Sequence, residues 1–182
     1  MKKFELTSEF ITNISGTKLF RIKALVEFGN IKAGELGGYI EKEENLDQDG
    51  NAWVFDNARV YGDAEVCGNA RVCGNAEVYG DARVCGNARV CGNAEVYGDA
   101  VVCGDAWVYG DADYAYAHGF GSEYRTTTFF RLRNGDVGVR CGCFYGTLQE
   151  FRDKVRATHK ETKKAKEYLM LADLMELRFL KE

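Results

Sequence analysis

Aliphatic side chains recur at every sixth residue through the middle of the chain. The recurring residue is valine: Val54, Val60, Val66, Val72, Val78, Val84, Val90, Val96, Val102 and Val108. An alanine stands two places before each of these valines. On an extended strand, residues two apart point to the same side. Alanine and valine therefore share one side, and the residue between them faces the other way. The pattern predicts ten short strands, each with a buried side and an outward side.

A longer period of eighteen residues is superimposed on the unit of six. Residues 61–114 read YGDAEVCGNARVCGNAEV, YGDARVCGNARVCGNAEV and YGDAVVCGDAWVYGDADY. Glycine followed by asparagine or aspartate stands between successive strands, and these residue types tolerate the unusual backbone of tight corners. Three strands and three corners then close one triangular coil, and coils stack at about 4.8 Å. We predict a three-sided solenoid over residues 50–117, stabilised by stacking.

The repeat resembles the hexapeptide-repeat superfamily, whose motif places a small residue four positions after an aliphatic one. The segment VCGNAR at residues 66–71 matches this motif directly, and about ten such units run without a break from about residue 50 to residue 114. The resemblance implies a left-handed parallel β-helix, commonly trimeric. The spacing alone predicts the triangular solenoid, whereas its hand is implied by the family.

Residues 1–49 precede the repeat and are predicted to be strands and a capping segment. KKFEL and KLFRIKALVEF have the composition of strands, and EKEENLDQDG has that of an exposed connection. Leu36, Ile40 and Leu46 are candidates for an irregular first coil. Because an open solenoid end exposes strand edges, we expect this segment to cover it.

Residues 118–182 are predicted to form a small α+β tail. Asn-Gly at 134–135, between two apolar-alternating runs, indicates a β-hairpin. Thr147 and Glu150 have capping-box spacing, which predicts a helix from 148 to about 158. A second amphipathic helix is expected from about 163 to 179. The predicted fold class is thus mainly β, a left-handed parallel β-helix whose α+β tail packs on the solenoid end or against other subunits.

Outward residues eighteen positions apart should stack into columns. One column is Trp53, Arg71, Arg89 and Trp107, and the next is Arg59, Glu77, Glu95 and Asp113. Like charges about 4.8 Å apart repel each other. A homotrimer would relieve this by placing the arginines of one subunit beside the glutamates of the next. Tryptophan and arginine are enriched at interfaces, which favours this hypothesis over solvated charges without a partner.

Tyrosines form a third column at the position that cysteine takes on the other faces. Its members are Tyr61, Tyr79 and Tyr97. Stacked aromatic side chains stabilise neighbouring strands, so the column is expected to pack on itself. The alternative is a platform for a planar ligand such as a nucleobase.

Cysteine usage indicates a reducing compartment. The chain has seven cysteines, and five share one repeat position: Cys67, Cys73, Cys85, Cys91 and Cys103. An odd number, set by a repeat in a chain with no recognisable export signal, favours free thiols and a cytoplasmic location. The alternative is that stacked thiols, such as those of Cys67 and Cys85, approach each other to the distance of a disulfide. No stretch of eighteen apolar residues predicts a membrane span.

Charge is unevenly distributed along the chain. Residues 1–114 carry eleven basic and nineteen acidic side chains, whereas residues 115–182 carry thirteen basic and nine acidic ones. Much of the basic excess lies in 160–166. Such a run is more often a solvated helix face than a nucleic-acid patch, so we do not expect a nucleic-acid partner.

Acyl transfer, the best-known chemistry of hexapeptide proteins, requires a general-base histidine near a cleft. Of the two histidines, His118 follows the last coil and is the candidate base, while His159 lies near a predicted helix end. Two histidines cannot form a three-histidine zinc site. Cys141 and Cys143 are too close for a zinc knuckle and should face one side of a packed strand. We therefore predict no metal site and no cofactor.

Several segments resemble uncharacterised proteins of bacteriophages and prophages: FRIKA, GELGGYIEKEENL and CGCFYGTLQEF, together with the hexads. That resemblance implies interference with a host process. The sequence-based interpretation is a non-enzymatic, trimeric binding protein that holds a small anionic, nucleotide-like ligand at its subunit seams or blocks a host protein. The alternatives are an acyltransferase that uses His118 and a purely structural protein.

Overall fold

The repeat folds into a parallel β-helix with three faces. The computed structural model describes residues 2–121 and 123–179. The ten predicted strands are present as β4 to β13, in order Trp53–Val54, Arg59–Val60, Glu65–Val66, Arg71–Val72, Glu77–Val78, Arg83–Val84, Arg89–Val90, Glu95–Val96, Val101–Val102 and Trp107–Val108. The faces contain β4-β7-β10-β13, β5-β8-β11 and β6-β9-β12. Each strand pairs in parallel with the residues eighteen positions away, for example Val78 with Val96.

The axis of the β-helix is filled by the ten repeated valines, and the alanines two places before them are buried with them. The corners require glycine, as at Gly86, where φ is 69° and an added Cβ would lie 2.9 Å from the backbone nitrogen of Gly104. Coils therefore stack too closely at the corners for a side chain. The predicted fold class is confirmed in its parallel β-solenoid and its two C-terminal helices.

Three strands precede the repeat: β1 (Phe4–Thr12), β2 (Lys18–Ala24) and β3 (Leu36–Ile40). β3 pairs antiparallel with β2 and parallel with β5, so the N-terminal hairpin continues one solenoid face. Ile40 and Leu46 are buried in the solenoid core, but Leu36 is exposed. Parallel stacking thus begins at β3, before the repeat becomes regular.

Trp53 is buried, which corrects the prediction that it faces outward at an interface. It has the outward position of its column and pairs with Arg71 as predicted. However, Phe4 and Phe28 of the N-terminal segment contact its ring with centroids 6.3 and 5.3 Å away, and its exposure is 0%. The N-terminal segment covers this end of the column, so Trp53 belongs to the core.

The tail contains a four-stranded antiparallel sheet rather than a hairpin alone. Its strands are β14 (Tyr114–Ala117), β15 (Thr127–Arg131), β16 (Val137–Cys141) and β17 (Phe144–Thr147). The helices are α1 (Leu148–His159), with the expected capping box at Thr147 and Glu150, and α2 (Lys163–Phe179). Phe129 packs with both helices in a second core.

The tail sheet packs on the C-terminal end of the solenoid. Phe130, next to Phe129 but on the opposite side of the sheet, joins the solenoid core. The Val101 amide donates to Thr128 Oγ1 at 3.0 Å, and the Arg133 amide donates to the Asp105 carbonyl at 3.1 Å. These bonds satisfy polar groups at the last coil, which would otherwise be an open strand edge.

The prediction of free thiols is wrong for one stacked pair. Cys73 and Cys91, eighteen residues apart, are joined by a disulfide with Cα atoms 4.5 Å apart. The separation of one coil falls within the range that a disulfide spans, so stacking by itself brings the two cysteines together. Cys67, Cys85, Cys103, Cys141 and Cys143 are free thiols. No helix in the described residues is long and apolar enough to cross a membrane.

Candidate functional site

The arginine column stands in the predicted register, but each arginine contacts residues of its own chain. Arg71 donates to Asn30 Oδ1, and its guanidinium lies 5.7 Å from the Phe55 ring centroid. Arg89 lies 5.4 Å from the ring centroid of Trp107, the outward tryptophan of the column. Cation–π contacts of this kind stabilise a guanidinium without a carboxylate. Repulsion within the column therefore does not by itself require a second subunit.

The glutamates expected to face those arginines also have partners in the same chain. Glu77 accepts from Arg59 at 2.8 Å and from the Tyr61 hydroxyl at 2.9 Å. Glu95 accepts from the Tyr79 hydroxyl at 3.2 Å. The trimer contact remains a prediction.

The tyrosine column is a continuous stack. Ring centroids are 5.1 Å apart for Tyr61 and Tyr79 and 5.4 Å apart for Tyr79 and Tyr97, with nearly parallel planes. These distances are typical of rings in direct contact, so a planar ligand does not fit between them. Tyr114 and Tyr116 cover the end of the stack edge-on to Tyr97. Burial and the hydrogen bond to Glu77 raise the pKa of Tyr61, while burial and the Glu95 charge raise the pKa of Tyr79 to about 12.

A cleft of about 670 Å³ lies where the solenoid meets the tail. One wall comes from β9 and β12, and the other from β15, β16 and the loop after β14. In the tail sheet Arg140 pairs with Thr128, two residues from Phe130. Because alternate strand residues share a side, Arg140 is on the side that faces the solenoid. Tail docking thus joins two walls that are distant in sequence.

Basic side chains are prominent in the lining of this cleft. Arg83, Arg125 and Arg140 stand against two carboxylates, Asp99 and Glu123. Arg83 is half exposed and lies 3.3 Å from Glu65, its neighbour one coil earlier. Arg125 lies 3.9 Å from Glu123, so the lining has one more guanidinium group than carboxylates. Guanidinium groups bind carboxylate and phosphate oxygens through charge-assisted hydrogen bonds, so the lining suits an anionic ligand.

His118 is at the mouth of the same cleft. Its Nδ1 is 2.9 Å from Thr126 Oγ1 and 3.5 Å from Asp99 Oδ2. With Nδ1 donating to these oxygens, Nε2 is the ring nitrogen left to accept a proton. The position that sequence reasoning gave for a candidate base, just beyond the last coil, is therefore beside a cleft.

Three thiols stack on the solenoid corner that borders the cleft: Cys67, Cys85 and Cys103. Cys85 lines the cleft, and the other two are buried. The hydrogen bond from Cys103 and the charges of Arg83 and Arg140 lower the pKa of the Cys85 thiol, although burial opposes them. The same hydrogen bond and burial raise the pKa of Cys103. Cys85 is therefore the member of the pair that ionises first.

The thiols of Cys141 and Cys143 do not lie on one side of a strand as predicted. The two residues flank Gly142, which has φ 56° and stands in the turn between β16 and β17. Cys141 is half-buried and its sulfur accepts a hydrogen bond from the Thr127 hydroxyl, whereas Cys143 is exposed. The expectation of two thiols on one strand side is wrong because the chain reverses between them.

Sequence reasoning missed the cleft, although part of its signal is in the repeat. Arg83 occupies the outward position between Glu65 and Val101 on the third face, next to the thiol column. The register of that face is evident in the sequence, because Glu65, Arg83 and Val101 are eighteen residues apart. Arg140 gave no signal, because its place depends on how the tail docks.

Comparison with protein families finds similarity within the solenoid. A family model described as "YdcK Beta solenoid repeat" matches residues 70–86, 82–94 and 88–104. A protein of Escherichia coli (strain K12) named "Uncharacterized acetyltransferase YdcK" is 39% identical over 72 residues, which are 35% of this chain and 22% of that protein. The aligned part is thus about a fifth of the length of this curated relative. The family-model matches include Arg83 and Cys85 but end before His118 and Arg140.

Proposed function

We propose that this chain binds a small anionic ligand in the cleft between its solenoid and its tail. The observation that carries the proposal is the meeting of Arg83 and Arg140, from segments more than fifty residues apart, in one cleft of about 670 Å³. This volume lies in the range of small-molecule sites, roughly 300–1,000 Å³. The ligand class is the one predicted from the sequence, but the location is within one chain instead of at subunit seams.

The two walls suit an anion such as a phosphate or a carboxylate. Guanidinium groups on opposite walls can donate to different oxygens of one ligand, and such charge-assisted hydrogen bonds are the strong ones. Thr126 and Thr128 also line the cleft and supply neutral hydroxyl donors. Because Arg140 is on a sheet and Arg83 is on a solenoid strand, both are held on regular elements rather than on loops.

Replacing Arg140 with alanine is expected to weaken binding of inorganic pyrophosphate about 10- to 100-fold, the equivalent of losing one hydrogen bond to a charged group. Arg83→Ala should have a similar effect. Isothermal titration calorimetry at low salt measures both. Arg89→Ala is the matched control, because Arg89 is a solenoid arginine on another face, in the column where the sequence placed the ligand. Weaker binding in Arg89→Ala with unchanged binding in Arg140→Ala would place the ligand at the column and contradict the cleft.

Acyl transfer is a second candidate function, favoured by a specific observation. His118 is polarised by Asp99 and Thr126 beside the cleft, and the curated relative carries the name acetyltransferase. In this role Nε2 would accept the proton of an acceptor amine or hydroxyl as it attacks a thioester. The anionic cleft ligand would then be the acyl donor or the acceptor.

Under this second function, His118→Ala is expected to lower the release of free coenzyme A from acetyl-coenzyme A by about 100-fold or more, the usual contribution of a general base. A thiol-reactive dye follows the release, with a panel of small amines as acceptors. His159→Ala serves as control, since His159 ends α1 and is not among the described residues that line the cleft. Equal turnover in His118→Ala and the unaltered protein rejects a catalytic role for His118.

The remaining partners stay predictions. A homotrimer that pairs Arg71 and Arg89 with Glu77 and Glu95 is compatible with the positions of these residues on neighbouring faces. A host-protein target follows only from the resemblance to phage proteins. Neither is needed for the cleft, which one chain forms by itself.

A further inference from the structure

The column of Cys67, Cys85 and Cys103 has the backbone spacing that a disulfide requires. Their amides donate along one ladder, Cys67 to the Val84 carbonyl and Cys85 to the Val102 carbonyl, both at 3.0 Å. Cys73 and Cys91 stand in the same way one corner further along the chain, and they are already joined. Coil stacking at about 4.8 Å lies within the usual Cα range of disulfides. Closure of a bond in the column therefore needs no backbone movement.

The three thiols differ in their access to solvent. Cys85 is half-buried and lines the cleft, whereas Cys67 and Cys103 are buried. A reagent that enters the cleft reaches Cys85 first. Cys103 is the next residue of the same column, one coil further along, because Val84 and Val102 are paired directly before the two cysteines. A second thiol is therefore adjacent to Cys85. Cys67 has a further contact, from Arg83 at 3.7 Å.

Charge also favours Cys85 as the attacking sulfur. The hydrogen bond from Cys103 and the charges of Arg83 and Arg140 lower the pKa of the Cys85 thiol, and the thiolate is the nucleophile in thiol–disulfide exchange. The same arginines would attract a disulfide that carries carboxylates. Nucleophile and recruiting charges are thus in one cleft.

We propose that Cys85 is a thiol–disulfide exchange site for a small anionic disulfide, and that Cys103 is its resolving thiol. Recruitment of the anionic reagent rests on the proposed function of the cleft. The Cys85 thiolate attacks one sulfur of the disulfide, whose S–S bond breaks as a mixed disulfide forms, and the departing thiolate takes a proton from water. Cys103 then loses its proton to water and attacks the Cys85 sulfur, which releases the second small thiol. Two protein thiols are oxidised and one disulfide is reduced to two thiols.

The first measurement needs no variant. We expect iodoacetamide to alkylate Cys85 about tenfold faster than the exposed Cys143 at neutral pH, because the two arginines of the cleft stabilise the Cys85 thiolate, which is the reactive form. Trypsin cleaves after Arg83 and Arg89, so Cys85 lies in a peptide without another cysteine. Cys143 shares the tryptic peptide 141–152 with Cys141, and fragment ions distinguish the two in mass spectrometry of quenched samples. Alkylation of Cys85 no faster than that of Cys143 overturns the proposal.

The second measurement uses glutathione disulfide on protein with the column reduced. The unaltered protein should lose two hydrogen atoms in mass and yield a cross-link from Cys85 to Cys103, which fragment ions distinguish from Cys91 in the same tryptic peptide. Cys103→Ser should instead retain a glutathionyl adduct on Cys85, and Cys85→Ser should form no new bond in the column. Cys143→Ser is the control and should react as the unaltered protein does. A cross-link from Cys85 to Cys67 would overturn the role given to Cys103.

A neutral reagent separates this proposal from the function on which it rests. We expect glutathione disulfide to react with Cys85 about tenfold faster than hydroxyethyl disulfide does, through electrostatic attraction, and Arg140→Ala should reduce this ratio. Equal rates for the two disulfides, with the Cys85–Cys103 bond still formed, would contradict anion recruitment and uphold the exchange site. Formation of the bond by neither disulfide would overturn the exchange site alone, because pyrophosphate binding is measured independently.

Discussion

Val102→Asp is expected to abolish cooperative folding of the solenoid. Val102 is fully buried in the axis, between residues of the coil below and the docked tail. A carboxylate there would lose its hydration without a partner, and the valine contacts would be lost as well. Such substitutions cost more than about 4 kcal/mol, a large part of the usual total stability of roughly 5–15 kcal/mol. Urea unfolding followed by circular dichroism measures the loss.

Val101→Asp is a matched control for this change. Val101 precedes Val102 on β12, and it lies on the outward side, partly exposed at the cleft. The same substitution one residue earlier should cost less than about 1.5 kcal/mol, because the carboxylate remains hydrated. Equal destabilisation by the two substitutions would contradict the alternation of inward and outward side chains on which the β-helix depends.

Trp53→Ala is expected to lower the free energy of unfolding by about 3–5 kcal/mol, the usual cost of removing a buried aromatic side chain. Trp53 is the largest of the fully buried side chains, and Phe4 and Phe28 pack edge-on to it. The cavity would lie between the N-terminal segment and the first regular coil. We therefore expect hydrogen exchange to increase most in β1 and β2. Chemical unfolding of the variant and of the unaltered protein measures the difference.

Trp107→Ala provides the comparison, because Trp107 stands at the other end of the same column as Trp53 and is partly exposed. It stacks against Arg89 and Arg133 rather than in the core. Its loss should cost about 1 kcal/mol or less. Trp53→Phe should also be milder than Trp53→Ala, because the buried indole N–H has no hydrogen-bond partner among the described residues. Similar losses in Trp53→Ala and Trp107→Ala would mean that the N-terminal segment does not cover Trp53.

The register of the solenoid could be predicted because the repeat encodes it locally. A period of six places valine inward on every strand, and a period of eighteen pairs Val78 with Val96 across coils. The helix that begins at Leu148 was likewise predicted from its own cap, Thr147 with Glu150. In each case the residues that decide the structure are adjacent in sequence or related by the repeat.

The candidate site was predictable only in part. The location of His118 just after the last coil is evident in the sequence, and the stacked column of Cys67, Cys85 and Cys103 follows from the register. That Arg140 joins them could not be inferred, since it depends on the tail sheet packing against the solenoid end through β15, the strand next to Arg140. The prediction that Trp53 faces outward is wrong for the same reason, because a segment distant in sequence covers that residue.

The sequence alone determined a three-sided parallel solenoid, its buried valines and the columns on its faces, because short-range alternation and a constant coil length repeat the same contacts. Only the tertiary structure decided what covers the two ends: the N-terminal segment over Trp53, and the tail sheet whose Arg140 completes the cleft. Docking of this kind depends on contacts between segments far apart in sequence, and no periodicity in the chain encodes them.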